Sequence, residues 1–308
     1  MTASLSPLPN SANWYTRLID NPVIRKELRG IMRGRRAFWL VTGYVTIISV
    51  FVALMYLVMA VQANYTPVDV QFRQNVGKLL FGTVVLMELL LISFIAPALT
   101  AGAITSEREH RTFDLLRTTL LSARSLVLGK LCVALVYLFL LMLAGLPIQS
   151  LAFLLGGVGL AEFLISSLLL GVTALFFAAL GLFTSSVMRR TLASTVSAYG
   201  IIVVSYTLLG FGLVVSIPFS ALTLSDKALE MILGIFLWAI ICTNPLLTAL
   251  ISEVILIQDQ SLWYTTSAFG SLNLPLPSPW IPFTILHTTL AIILILLSIH
   301  FVRRPSRT

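Results

Sequence analysis

The residue types best suited to chemistry lie in one charged stretch, TSEREHRTFDLLRTTLLSARSLVLGK, Thr105 to Lys130. It holds eight charged side chains and a histidine in a chain that is only 10% charged. Glu107, Glu109 and His110 could suit a metal or an acid/base site, but their spacing does not. Adjacent residues point apart on a helix, and no H-E-x-x-H occurs. The other histidines, His287 and His300, lie far away in the last apolar run. No Ser-His-Asp or paired-carboxylate arrangement follows from residues this scattered. His110 therefore reads as a solvated loop side chain. Neither NVGKLL nor VLGKLC completes a phosphate loop, because Leu79 and Leu131 follow the lysines. Cys132 and Cys242 sit in separate apolar segments and form no metal or disulfide pattern. The expectation is a chain with no catalytic residues, no metal and no cofactor of its own.

The elements that carry this stretch are set by hydropathy. Of 308 residues 58% are hydrophobic, and the mean hydropathy is +0.98. Several apolar runs of at least ~18 residues mean an integral membrane protein, and no run alternates as a barrel strand does. The expected fold is all-α. A cytosolic N-terminus, 1–36, precedes a single transmembrane domain, 37–308. Six spans are expected at about 37–62, 79–104, 130–155, 161–188, 191–217 and 281–302. The first run, Ala37 to Val61, is too long for a signal peptide and is expected to remain as a span.

Charge placement then gives orientation. With six spans, 17 of the 20 Lys and Arg fall on one side. Only Arg73, Lys78 and Lys227 fall on the other. The positive-inside rule makes the first side cytosolic and places both termini there. The formal charge of +8 is thus membrane topology, and nucleic acid is not an expected partner. The apolar stretch 229–257, broken at Asn244-Pro245, is expected as a re-entrant or surface hairpin on the outer side. Near the N-terminus, Ile24, Leu28 and Ile31 share one helical face, and Arg25, Arg29 and Arg33 a neighbouring one. That pattern predicts a basic amphipathic helix lying on inner-leaflet lipid.

Within the loop, 105–129, Ser106 and Glu109 have the spacing of a capping box. Thr112 can cap a second short helix. Phe113, Leu116 and Leu120 recur at i, i+3, i+7 and give it an apolar face. Such a face outside the membrane must be covered by the protein's own helix ends, by lipid or by another protein.

The run IAPALTAGAITSEREHRTFDLLRTTLLSARSLVLGKL, Ile95 to Leu131, resembles the signature region of type-2 ATP-binding cassette (ABC) transporter permeases. The matches are Pro97, Glu107, Arg108, Glu109, Thr112, Leu115, Leu116, Thr119, Leu121, Ser122, Gly129 and Lys130. Leu120 stands where the family often has Pro. The basic segment before the first span and the six-span layout are similar too. The resemblance implies a membrane subunit of a prokaryotic cell membrane that pairs with a second permease copy and with separate ATPase subunits. ATP and Mg would bind those partners. It also implies that the loop is a coupling helix docked on the ATPase. Phe113, Leu116 and Leu120 would make its buried contacts. Glu107, Arg108, Glu109 and Arg111 would hold it to the ATPase or to the N-terminal helix. Thr112 and Ser122 belong to the same docking set, and export is the direction that the family implies.

One carboxyl, Glu88, falls inside span two, where insertion scales put an acidic group at a cost of about 2.5–3.5 kcal/mol. Two readings stand. It faces a dimer cavity or proton path on the translocation route, or it is protonated and hydrogen-bonded to a neighbouring helix. Gly171, Gly181, Gly200, Gly210 and Gly212 are expected on helix-packing faces. The alternatives to an ABC permease are a secondary transporter with Glu88 as proton carrier, and a membrane-embedded enzyme using Glu107, Glu109 and His110.

Overall fold

The computed structural model describes residues 35–63, 70–111, 122–221, 227–258, 262–265 and 276–303. The basic helix expected around Arg25, Arg29 and Arg33 lies outside the described residues. So do Thr112, Phe113, Leu116 and Leu120. The described helices in chain order are α1 (Arg35–Ala63), α2 (Val70–Thr100), α3 (Thr105–Glu109), α4 (Ala123–Leu155), α5 (Leu160–Val187) and α6 (Thr191–Ala221). They continue with α7 (Lys227–Thr243), α8 (Pro245–Gln258) and α9 (Trp280–Arg303).

The chain is an all-α membrane protein. Five described helices, within α1, α2–α3, α4, α5 and α9, are long and apolar enough to cross a membrane, and six if the bent pair α7–α8 counts as one span. Helix α6 has 31 residues, so at ~1.5 Å per residue it is about 46 Å long, more than a ~30 Å hydrocarbon core. Several helices outrun their apolar segments. Helix α2 starts at Val70, although its apolar run starts near Leu79, and α4 starts at Ala123. Backbone hydrogen bonding continues through polar residues, so hydropathy marks the lipid-matched part of a helix and not its ends.

The core is built around α5 and α2. Helix α5 packs most heavily on α9 and α2, and α2 packs also on α4. Helix α1 packs on α2 and α4 at the edge, leaving Phe38 and Trp39 about two-thirds exposed. Exposed apolar surface on a spanning helix is the surface that lipid covers. Close approach depends on glycine. A Cβ added at Gly181 on α5 would come 2.9 Å from Pro97 Cα and 3.2 Å from Ala101 N. Among the described residues nothing lies within 4 Å of a Cβ built at Gly171 or Gly200, so neither makes a close helix contact within this chain. The close contacts are instead at Gly77, against the Gly156 carbonyl, and at Gly145, against Glu88.

The interruption expected at Asn244-Pro245 is a helix start. Asn244 Oδ1 accepts the N–H groups of Leu246 (3.0 Å) and Leu247 (3.3 Å), and Pro245 takes the first helical position. The Asn244 amide also donates to the Ser205 carbonyl of α6 at 2.9 Å. Helices α7 and α8 bend by 115° there, the geometry of a broken span or of a re-entrant pair. A two-residue antiparallel pair, β1 (Tyr264–Thr265) with β2 (Leu276–Pro277), precedes α9. It is pinned by the Trp280 indole donating to the Leu262 carbonyl at 2.9 Å, with the Trp263 and Trp280 rings 5.8 Å apart.

Candidate functional site

The charged stretch begins at a break between α2 and α3. Thr100 ends α2, and a turn over 101–104 leads into α3. A break in a helix strands backbone donors. Here Ser185 of α5 supplies the missing acceptor. Its Oγ takes the N–H of Ile104 at 2.9 Å and of Thr105 at 3.1 Å, and all three residues are fully buried. On the same side, Ser194 of α6 donates to the Ala101 carbonyl at 2.7 Å. Two hydroxyls from neighbouring helices thus tie down the turn.

The acidic and basic residues of EREH each reach a different element. Glu107 forms an ion pair with Lys130 of α4 at 2.7 Å, and the Lys130 side chain is only 6% exposed. Arg108 Nη1 donates to the Met188 carbonyl, at the C-terminal cap of α5, at 3.0 Å. Glu109 accepts the Thr191 N–H at 2.8 Å and the Thr191 hydroxyl at 2.7 Å. Thr191 opens α6, so Glu109 places a carboxylate at a helix N-terminus, where orphan N–H groups favour negative charge.

This arrangement corrects the capping-box reading of Ser106 and Glu109. The residue before α3 is Ile104, with no side-chain cap, and the Ser106 N–H is already bonded to the Gly102 carbonyl at 3.0 Å. With its local donors satisfied, the Glu109 carboxylate serves α6 instead. His110 is exposed, with Nδ1 2.7 Å from the Ser106 carbonyl oxygen. Arg111, also exposed, ends the turn with φ at 57°, a left-handed conformation that suits a helix terminus and is uncommon outside glycine. Ser122 caps α4 by accepting the Ser125 N–H at 3.2 Å. Of the residues expected to dock a partner, Glu107, Arg108, Glu109 and Ser122 therefore make contacts within this chain. Among the described residues no three His, Cys, Asp or Glu side chains come together as metal ligands.

Glu88 is fully buried in the interface of α2 with α4. Gln149 Nε2 donates to its Oε2 at 2.7 Å, and the missing side chain at Gly145 leaves room for its Oε1. Gln149 lies on α4, so the Glu88 carboxyl is hydrogen-bonded to a neighbouring helix. Sequence reasoning missed Ser185, Ser194 and Thr191. Their only signal is a run of small hydroxyl residues on either side of Arg189-Arg190, which is ordinary without the contacts.

The described residues thus form a bundle of apolar helices whose charged junction is tied to the neighbouring helices. A family model described as ABC-2 family transporter protein matches residues 21–303. The chain belongs to that family, whose members are ABC transporter permeases. A search of curated proteins gives no match.

Proposed function

We propose that this chain is the permease subunit of an ABC exporter in a prokaryotic cell membrane. It works as a dimer with a second permease copy and with two separate ATPase subunits that bind ATP and Mg. Segment 105–129 is the coupling element on the cytosolic side, and both termini lie on that side. The observation that carries this reading is the anchoring of α3. Glu107, Arg108 and Glu109 fasten it to α4, the α5 end and the α6 start. A segment that receives movement from a partner must be joined firmly to the helices it moves, and this one is. The apolar positions Phe113, Leu116 and Leu120 then supply the docking face, and the hairpin α7–α8 lies on the outer side.

Leu116→Glu is the direct test. The variant should insert normally, fail to co-purify with the ATPase and lose vanadate-sensitive transport. Unaltered ATPase recruitment and transport would overturn the coupling role. Transport driven by a proton gradient with no ATPase present would identify a secondary transporter instead.

A further inference from the structure

A small cavity of about 30 Å³ lies between α2, α5 and α8. About 10–15 Å³ is enough for one water-sized occupant, so it has room for an ion or a water or two. Four oxygen-bearing side chains line it: Glu162 and Ser166 of α5, and Ser252 and Glu253 of α8. Ser252 is 2% exposed, and its hydroxyl oxygen has no hydrogen-bond partner. A buried hydroxyl left unpaired is costly, and this one belongs to the lining of a cavity able to hold a partner. Ser166, also buried, gives its proton to the Phe163 carbonyl at 2.9 Å, which leaves its oxygen able to accept or to coordinate. Gly82 of α2 makes the space for the Glu253 carboxylate, since a Cβ there would stand 2.6 Å from Oε2 and 2.9 Å from Oε1. Any side chain at 82 would displace it.

From this geometry we infer that the cavity is a site for one monovalent cation of the size of sodium, which joins α8 to α2 and α5. The donors are all oxygens, which suits a hard cation and offers nothing to a metal that prefers nitrogen or sulfur. Charge sets the valence. Glu253 interacts electrostatically with Glu162 and with Lys78 of α2. Lys78 lies outside the lining and Glu162 already accepts the Gly159 N–H at 2.9 Å, so Glu253 is the carboxylate that one monovalent ion balances. A divalent ion would leave a positive charge beside Phe81, Val85, Ile165 and Leu169, an expensive arrangement in apolar surroundings. The inference stands independently of the ATPase reading.

The experiment uses the full chain purified in detergent. Thermal unfolding is followed in sodium chloride and in choline chloride at equal ionic strength. Sodium should raise Tm by about 2–4 °C over choline and saturate with concentration. Glu253→Gln should abolish that difference. If this variant does not fold, Ser252→Ala removes one donor and should raise the half-saturating sodium concentration about five-fold. Equal Tm in the two salts for the unaltered chain would overturn the inference. So would a sodium effect that survives both substitutions. A stability that follows pH but not sodium, and is lost in Glu253→Gln, would also overturn it, because the carboxylates would then share a proton.

Discussion

Ser185→Ala isolates the contact that holds the α2–α3 break in place. The substitution removes one hydroxyl and leaves the backbone and packing volume of α5 nearly intact. It deprives two buried N–H groups, those of Ile104 and Thr105, of their acceptor. Each buried donor left without a partner costs about 1–3 kcal/mol. Thr105 Oγ1 lies 3.5 Å from Ser185 Oγ, but its proton already goes to the Ala101 carbonyl. Allowing some relaxation of the turn, the loss should be about 2–4 kcal/mol. For a chain of 308 residues that lowers Tm by roughly 3–6 °C. The control is Ser186→Ala, also buried, whose hydroxyl donates only to Phe183 in its own helix. It should cost less than about 1 kcal/mol. Scanning fluorimetry of the purified variants makes the comparison directly. If Ser185→Ala melts no lower than Ser186→Ala, the Ser185 hydroxyl does not hold the junction.

Three further outcomes follow from the same contacts. Lys130→Met should destabilise by roughly 1–3 kcal/mol because it removes the cation paired with Glu107, and adding Glu107→Gln should recover part of that loss in a double-mutant cycle. Glu109→Ala should speed deuterium exchange at the Thr191 amide, read by mass spectrometry, while exchange at the start of α5 stays unchanged. Gly181→Ala forces a methyl against the Pro97 and Ala101 backbone and should cost about 1–3 kcal/mol in unfolding, whereas Gly171→Ala, with nothing near it, should cost far less.

The membrane class and most of the spans are legible in the sequence because apolar length is a property of contiguous residues. The break at Asn244-Pro245 is legible for a similar reason, since a cap and a proline are neighbours in the chain. The junction is only half legible. EREH is visible as unusual, but the partners of Arg108 and Glu109 lie 80 and 82 residues further on. No local pattern encodes such pairings. Glu109 shows the trap: its spacing from Ser106 fits a capping box, yet its carboxylate caps another helix. The glycines behave similarly. Gly181 lies on a packing face as expected, while Gly171 and Gly200 face open space. Spacing along a uniformly apolar helix does not say which side a neighbour occupies. The pair β1–β2 has no sequence signal, because two residues per strand carry no periodicity.

The anchoring of α3 has a mechanical consequence. A rod fixed at one point swivels, and a rod fixed at two still rolls about the line between them. Each further fixed point removes more of that freedom. Successive side chains at 107, 108 and 109 bolt this short helix to α4, to the end of α5 and to the start of α6. A push delivered to α3 would therefore meet all three contacts at once. Any displacement of α3 would be shared with three helices through them.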